Sequence, residues 1–281
     1  ERGFALGAAL DLLEQYKEQT PKLTDKELRD MTSDSGLPDT ARSKALDLLV
    51  ARKPADLAAL LTKLTGEAPE QVAITALKHL ARTSPDALVP AASAALESGK
   101  PLLARNCWDL LAPIPGPETD ATFVKRLDQL RATKGVAPDA IELLEAARSR
   151  KSKPVEEALA AFEQSIKQNP DPLAEWNIAL EGGDPETGRE LFVSHPAAEC
   201  MRCHRVGEDH DAGGDTAPNL TGLAARQKDR RYFIESLIQP SAVIAPGFGA
   251  VSLGFKNGAG ASGNLLAETG DHLDIEYKGR P

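Results

Sequence analysis

Cys200-Met201-Arg202-Cys203-His204 is the stretch on which the reading of this chain turns. Two thiols separated by two residues lie on one helical turn, where each can form a thioether with one vinyl group of a haem. The next residue, His204, then lies under the iron and can serve as proximal ligand. The C-x-x-C-H pattern has two rival readings. One is a redox-active C-x-x-C. The other is half of a zinc site, which needs two more ligands at a matching spacing. The only other cysteine, Cys107, lies far away in an apolar helical stretch.

The flanks of the motif favour haem. Upstream, Gly183-Asp184-Pro185-Glu186-Thr187-Gly188-Arg189-Glu190-Leu191-Phe192 reads as a capped helix, with Asp184 as N-cap and Pro185 in the first position. Gly188 and Phe192 share one face of it. Downstream, Ala217-Pro218-Asn219-Leu220-Thr221-Gly222 offers the Pro218 carbonyl to the Nδ1–H of His204. A ligating histidine normally has such a partner to fix its tautomer.

In this order and spacing the three pieces resemble a class I cytochrome c. The run from Leu191 to Glu199 and the later Tyr232-Phe233-Ile234-Glu235-Ser236-Leu237-Ile238-Gln239-Pro240-Ser241-Ala242 are similar to the planctomycete and verrucomicrobial haem-binding type. The resemblance covers about residue 170 onward. It implies one covalent haem c, held by Cys200 and Cys203 and ligated by His204, with Pro218 orienting His204 and with Phe192 and Leu220 packed near the ring. It also implies a periplasmic electron carrier rather than an enzyme, without catalytic residues, fed by a redox partner protein or a dehydrogenase domain. Two rivals stay open: a haem enzyme or gas sensor with an open distal site, and a helical-repeat scaffold with an accessory haem.

Composition sets the outer bounds. A chain of 281 residues is long enough for two domains with cores of their own. A net charge of −9 with no basic arm argues against nucleic acid or an anionic membrane as partner. No apolar run is long enough to span a bilayer. Three cysteines are too few for a disulfide framework, and the surroundings of Cys107, between Leu102 and Leu111, predict a buried, inert thiol.

Read in order, the chain is mainly α. An amphipathic helix covers residues 4–17, with Phe4, Leu6, Leu10, Leu13 and Tyr16 on one period. Thr24-Asp25-Lys26-Glu27 is a capping box opening a short helix. Helix pairs separated by Pro and Gly follow: 41–51 with 55–64, 70–82 with 86–98, 101–111 with 120–131, and 139–150 with 155–168. They recur at roughly 30 to 37 residues, near the range of α-solenoid repeats. A short helix over 173–180 carries Trp176, and Gly182-Gly183 makes a hinge. The division is therefore a HEAT-like repeat region over 1–180, a cytochrome c haem-binding domain over 181–247, and a β-meander insert over 248–281. Within the second, residues 226–239 read as one helix. In the third, alternation over 250–255, 263–267 and 272–277 predicts three short strands.

The sixth iron ligand is the open question. The chain holds two methionines, Met31 in a remote helix and Met201 between the cysteines. Of the histidines, His272 stands at about the right separation, His195 lies just before the motif, His210 sits with Asp209 and Asp211 on the loop leaving His204, and His79 reads as a helix-surface residue. The distal Met-Pro segment and closing helix that the resemblance implies do not occur in these residues. The expectation is that the polypeptide continues past Pro281 or that another chain covers the Gly188 and Phe192 face.

Overall fold

The computed structural model describes residues 23–207 and 213–277. The helix expected over 4–17, the Asp209-His210-Asp211 loop and the last four residues lie outside it. The described chain is mainly helical with one small sheet, and it divides into two units, Glu1–Gly182 and Gly183–Pro281, at the glycine pair.

Among the described residues the first unit holds nine α-helices: α1 Asp25–Ser33, α2 Asp39–Ala51, α3 Leu57–Glu67, α4 Glu70–Thr83, α5 Pro85–Leu96, α6 Pro101–Leu111, α7 Pro117–Ala132, α8 Ala140–Ser149 and α9 Lys153–Lys167. The capping box starts α1, with Glu27 N–H donating to Thr24 Oγ1 and Thr24 N–H donating to Glu27. Helix α3 begins later than the sequence suggested, because a turn from Pro54 O to Leu57 N comes first. Helix α7 begins earlier, because Pro117 presets the first helical φ.

These helices stack in two rows. Helices α2, α4, α6 and α8 touch in succession, as do α3, α5, α7 and α9. Their facing sides bury apolar clusters; one runs from α4 to α9 and includes Leu77, Leu103, Trp108, Phe123, Leu143 and Phe162, and another joins α2 to α5 through Leu46, Leu61, Val72 and Ala91. Polar bonds join each pair of helices to the next. Glu70 accepts the N–H groups of Leu102 and Leu103 at 2.7 and 3.1 Å, so a carboxylate on α4 caps α6. Lys100 Nζ donates to Gly66 O and Ala68 O at the end of α3. Buried Asp139 accepts from Trp108 Nε1 at 2.9 Å and from Arg126.

Arg150 is the most heavily used of these ties. It donates to the carbonyls of Leu111, Ala112 and Ile114, pairs with Asp120, and lies over the Phe123 ring. One expectation needs correction here. His79 is not a surface residue: it is largely buried, with Nε2 2.6 Å from Asp47 Oδ1. The segment carrying Trp176 is a 3-10 helix, Ala174–Ala179, tied by Asn177 Nδ2 to Lys134 O.

The second unit holds α10 Pro185–Ser194, α11 Cys200–Cys203, α12 Leu223–Arg226, α13 Arg230–Ile238 and strands β1 Gly249–Gly254, β2 Gly260–Glu268 and β3 Leu273–Tyr277. The single helix expected over 226–239 is broken. Gln227 Oε1 accepts from Asp229 N–H, and Asp229 Oδ1 accepts from Arg231 N–H. These local bonds replace the helical ladder and restart it as α13. The strands form an antiparallel meander in the order β1-β2-β3, with Ser252 opposite Ser262 and their hydroxyls 3.0 Å apart.

The two units differ in how they bury apolar surface. Every buried apolar side chain among the described residues lies between Leu28 and Ala174. In the second unit none is buried, and Leu237, Val243 and Ile244 are 78%, 61% and 53% exposed. The sequence from Ser236 to Phe255 carries no charged residue at all.

Candidate functional site: the Cys200–His204 turn and its wrapping segment

Helix α10 ends at Ser194, and the five residues to Cys200 make a tight connection. Asp184 caps its start, accepting from Thr187 N–H at 2.7 Å. His195 N–H closes its end on Leu191 O, while His195 Nδ1 accepts the N–H groups of Ala197 and Ala198 at 3.3 and 3.1 Å. A nitrogen that accepts carries no proton, so the neutral ring bears its proton on Nε2. Glu199 follows in the left-handed region at φ 45°, a conformation costly for a residue with a Cβ. It turns the chain into α11, and Arg202 reaches back to its carboxylate at 3.0 Å.

Helix α11 is a single turn, which places Cys200 and Cys203 on one short element, half-buried and exposed respectively, with no disulfide between them. Residues 213–221 then wrap its far end. Gly214 N–H donates to Met201 O at 2.9 Å, Ala217 N–H to Cys203 O at 3.0 Å and Leu220 N–H to Arg205 O at 2.9 Å, while Arg205 and Gly213 form a bridge. The carbonyls that a short helix leaves without partners are thereby satisfied.

The approach requires glycine at two positions. A Cβ on Gly214 would stand 2.1 Å from Arg202 O, and one on Gly213, at φ 93°, would stand 2.3 Å from His204 O. Neither residue was singled out from the sequence, where the pair reads only as part of a polar loop.

The wrap sets His204. Its Nδ1 lies 2.8 Å from Pro218 O. A carbonyl can only accept, so Nδ1 carries the proton and the Nε2 lone pair is left for a ligand bond. The structure thus gathers Cys200, Cys203, His204 and Pro218 within one turn and its wrapping segment. Leu220 joins through its backbone. Phe192 is half-buried on α10, which packs on α11.

His272 sits elsewhere, between β2 and β3 and 57% exposed, with Nδ1 2.9 Å from Asp271 and 2.8 Å from Thr269 Oγ1. No hydrogen bond joins it to the motif among the described residues. Met31 packs with Leu28, Ala45 and Leu49.

The donor set fits a covalently held haem. Two accessible thiols on one turn, followed by an imidazole with Nδ1 bonded and Nε2 open, match two vinyl groups and one iron. Among the described residues, no group of three or more His, Cys, Asp or Glu is placed to hold a bare metal ion, so the zinc reading finds no companions there. No protein-family model, curated protein or solved structure matches the chain.

Proposed function

We propose that this chain is a monohaem c-type electron-transfer protein, in which a cytochrome c domain follows α-solenoid-like helical repeats. The observation that carries the reading is the hydrogen bond from His204 Nδ1 to Pro218 O directly beside the Cys200 and Cys203 turn. The two-row stacking of α2 to α9 supports the solenoid-like description of the first unit. The exposed apolar residues of the second unit supply further support, because a haem offers the apolar surface against which such side chains can be buried.

When bound, the haem supplies one-electron cycling between Fe(III) and Fe(II). The chain's own residues supply the rest. Cys200 and Cys203 fix the ring to α11. Pro218 holds the His204 proton on Nδ1 and keeps the ring from turning, which makes Nε2 the ligand atom and raises its basicity. Phe192 and Leu220 exclude water from the ring edge.

On the distal side, His195 as it stands presents an N–H at Nε2. His272 donates from Nδ1 to Asp271 and keeps an Nε2 lone pair, so it is the better ligand of the two. A periplasmic setting and a dehydrogenase as electron source belong to this proposal. Among the described residues no helix is long and apolar enough to cross a membrane.

The test is acid–acetone extraction of the protein purified from a host that attaches haem. Retained haem is expected, since thioethers outlast unfolding, and clean extraction would refute the proposal. Cys203→Ser should leave at most one thioether, and His204→Ala should abolish the native low-spin spectrum. Rapid carbon monoxide binding by the reduced protein would favour the sensor or enzyme reading over electron transfer.

A further inference from the structure

The Pro218 carbonyl is only as well placed as the segment that carries it, and one side chain closes that segment on itself. Thr221 Oγ1 accepts the Gly207 N–H at 2.8 Å and donates to the Gly207 carbonyl at 3.0 Å. Both bonds join Gly207, three residues past His204, to Thr221, three residues past Pro218. Every other polar group of Thr221 is engaged as well. Its N–H donates to Asn219 Oδ1 at 2.8 Å, and its carbonyl accepts from Arg226 at 2.7 Å. The side chain is half-buried.

We propose that Thr221 is a positioning residue for His204, acting through Pro218; this rests on the haem reading above. The backbone bonds at Gly214, Ala217 and Leu220 hold the wrap to the motif, but each joins two peptide groups. The Thr221 hydroxyl is the side chain that locks the returning strand of the wrap to the outgoing one. Without it, Gly207 loses a donor and an acceptor partner together. Residues 218–221 can then lift, lengthening the bond from His204 Nδ1–H to Pro218 O. The histidine would keep its ligand role but lose part of its basicity and its orientation.

The experiment uses the full-length holoprotein in the ferrous state, with solvent exchange of the His204 Nδ1 proton followed by NMR. Thr221→Val keeps shape and removes the hydroxyl, and Thr221→Ser keeps the hydroxyl. Exchange of the Nδ1 proton should quicken about tenfold or more in the valine variant, the scale set by the two hydrogen bonds lost together. Backbone amides of α10 report global opening and should change less. The serine variant should restore slow exchange.

An Nδ1 proton as slow in Thr221→Val as in the unaltered protein overturns the proposal, whatever the change in stability. In the unaltered protein the Gly207 N–H and the His204 Nδ1–H should share one opening event and rise together with denaturant. A Gly207 N–H that exchanges freely while the Nδ1 proton stays protected overturns it without any variant. Loss of the haem to acid–acetone would instead remove the haem reading and this proposal with it.

Discussion

At the residue scale, two glycines and a thiol separate tight from open environments. Gly214→Ala drives a Cβ into the Arg202 carbonyl. It should cost about 1–3 kcal/mol, the usual range for overpacking, read from chemical denaturation of the holoprotein. Gly188 is the contrast: a Cβ there meets nothing within 4 Å, in the middle of α10. Gly188→Ala should therefore stabilise by about 0.5–1 kcal/mol, and a loss would mean that another element packs on that face. Cys107 is fully buried and donates to Leu103 O. Burial, with a smaller push from Asp139, raises its thiol from 9.0 to about 12. A raised folded value means that stability is intact below pH 9 and is lost as pH climbs toward 12. The shift corresponds to at most about 4 kcal/mol. Wild type should lose stability over that window more steeply than Cys107→Ala. The folded holoprotein should also resist thiol reagents, while the denatured one titrates one free thiol per chain.

At the element scale, the helix pairs are held by side chains that reach from one pair to the next. Arg150 illustrates why such ties matter more than surface ion pairs. It has almost no contact with water, and removing it takes a donor from three carbonyls and the cationic partner from Asp120 together. Arg150→Ala should cost about 3–5 kcal/mol by thermal or denaturant unfolding, the range for breaking a buried pair from one side. Burial alone would push the Asp120 carboxyl up, yet the hydrogen bonds from Ser152 and Arg150 bring it below its usual value. Its contribution is present above the ordinary carboxylate range and fades as pH falls through the lowered value, so Asp120→Asn should flatten the acid limb of the stability profile. Lys26 with Asp30 is fully exposed, and Asp30→Asn should leave stability within experimental scatter.

At the scale of the molecule, it follows from the proposed haem attachment that the two units should respond differently to haem. The first buries apolar clusters along the whole stack of helices, so residues 23–182 expressed alone should unfold cooperatively when followed by circular dichroism. The second leaves Leu237, Val243, Ile244 and Phe248 open to water. Haem-free full-length protein should accordingly show the first unit's transition intact and bind a hydrophobic dye through the second. Attachment of haem should abolish that dye binding. Dye binding unchanged by haem would place the apolar surface away from the ring.

The sequence by itself determined the helix pairs, the capping box, the meander and the motif. Each of those depends on neighbours within a few residues: apolar periodicity, a proline at a first turn, two thiols three positions apart. The pairing of His204 with Pro218 was also legible, because the chemistry of a ligating histidine demands a partner and the spacing offered one. The tertiary structure decided what depends on distant contacts. His79 looked like a surface residue until Asp47, on another helix, came to lie against it. The 226–239 helix broke where Gln227 and Asp229 side chains outcompeted the backbone ladder. Gly213, Gly214 and Thr221 had no local signal, since a glycine pair and a threonine in polar sequence are unremarkable until the chain folds back. Their meaning arises only when residues 213–221 are laid against the turn of Cys200 to His204, where there is room for a hydrogen atom but not for a methyl group.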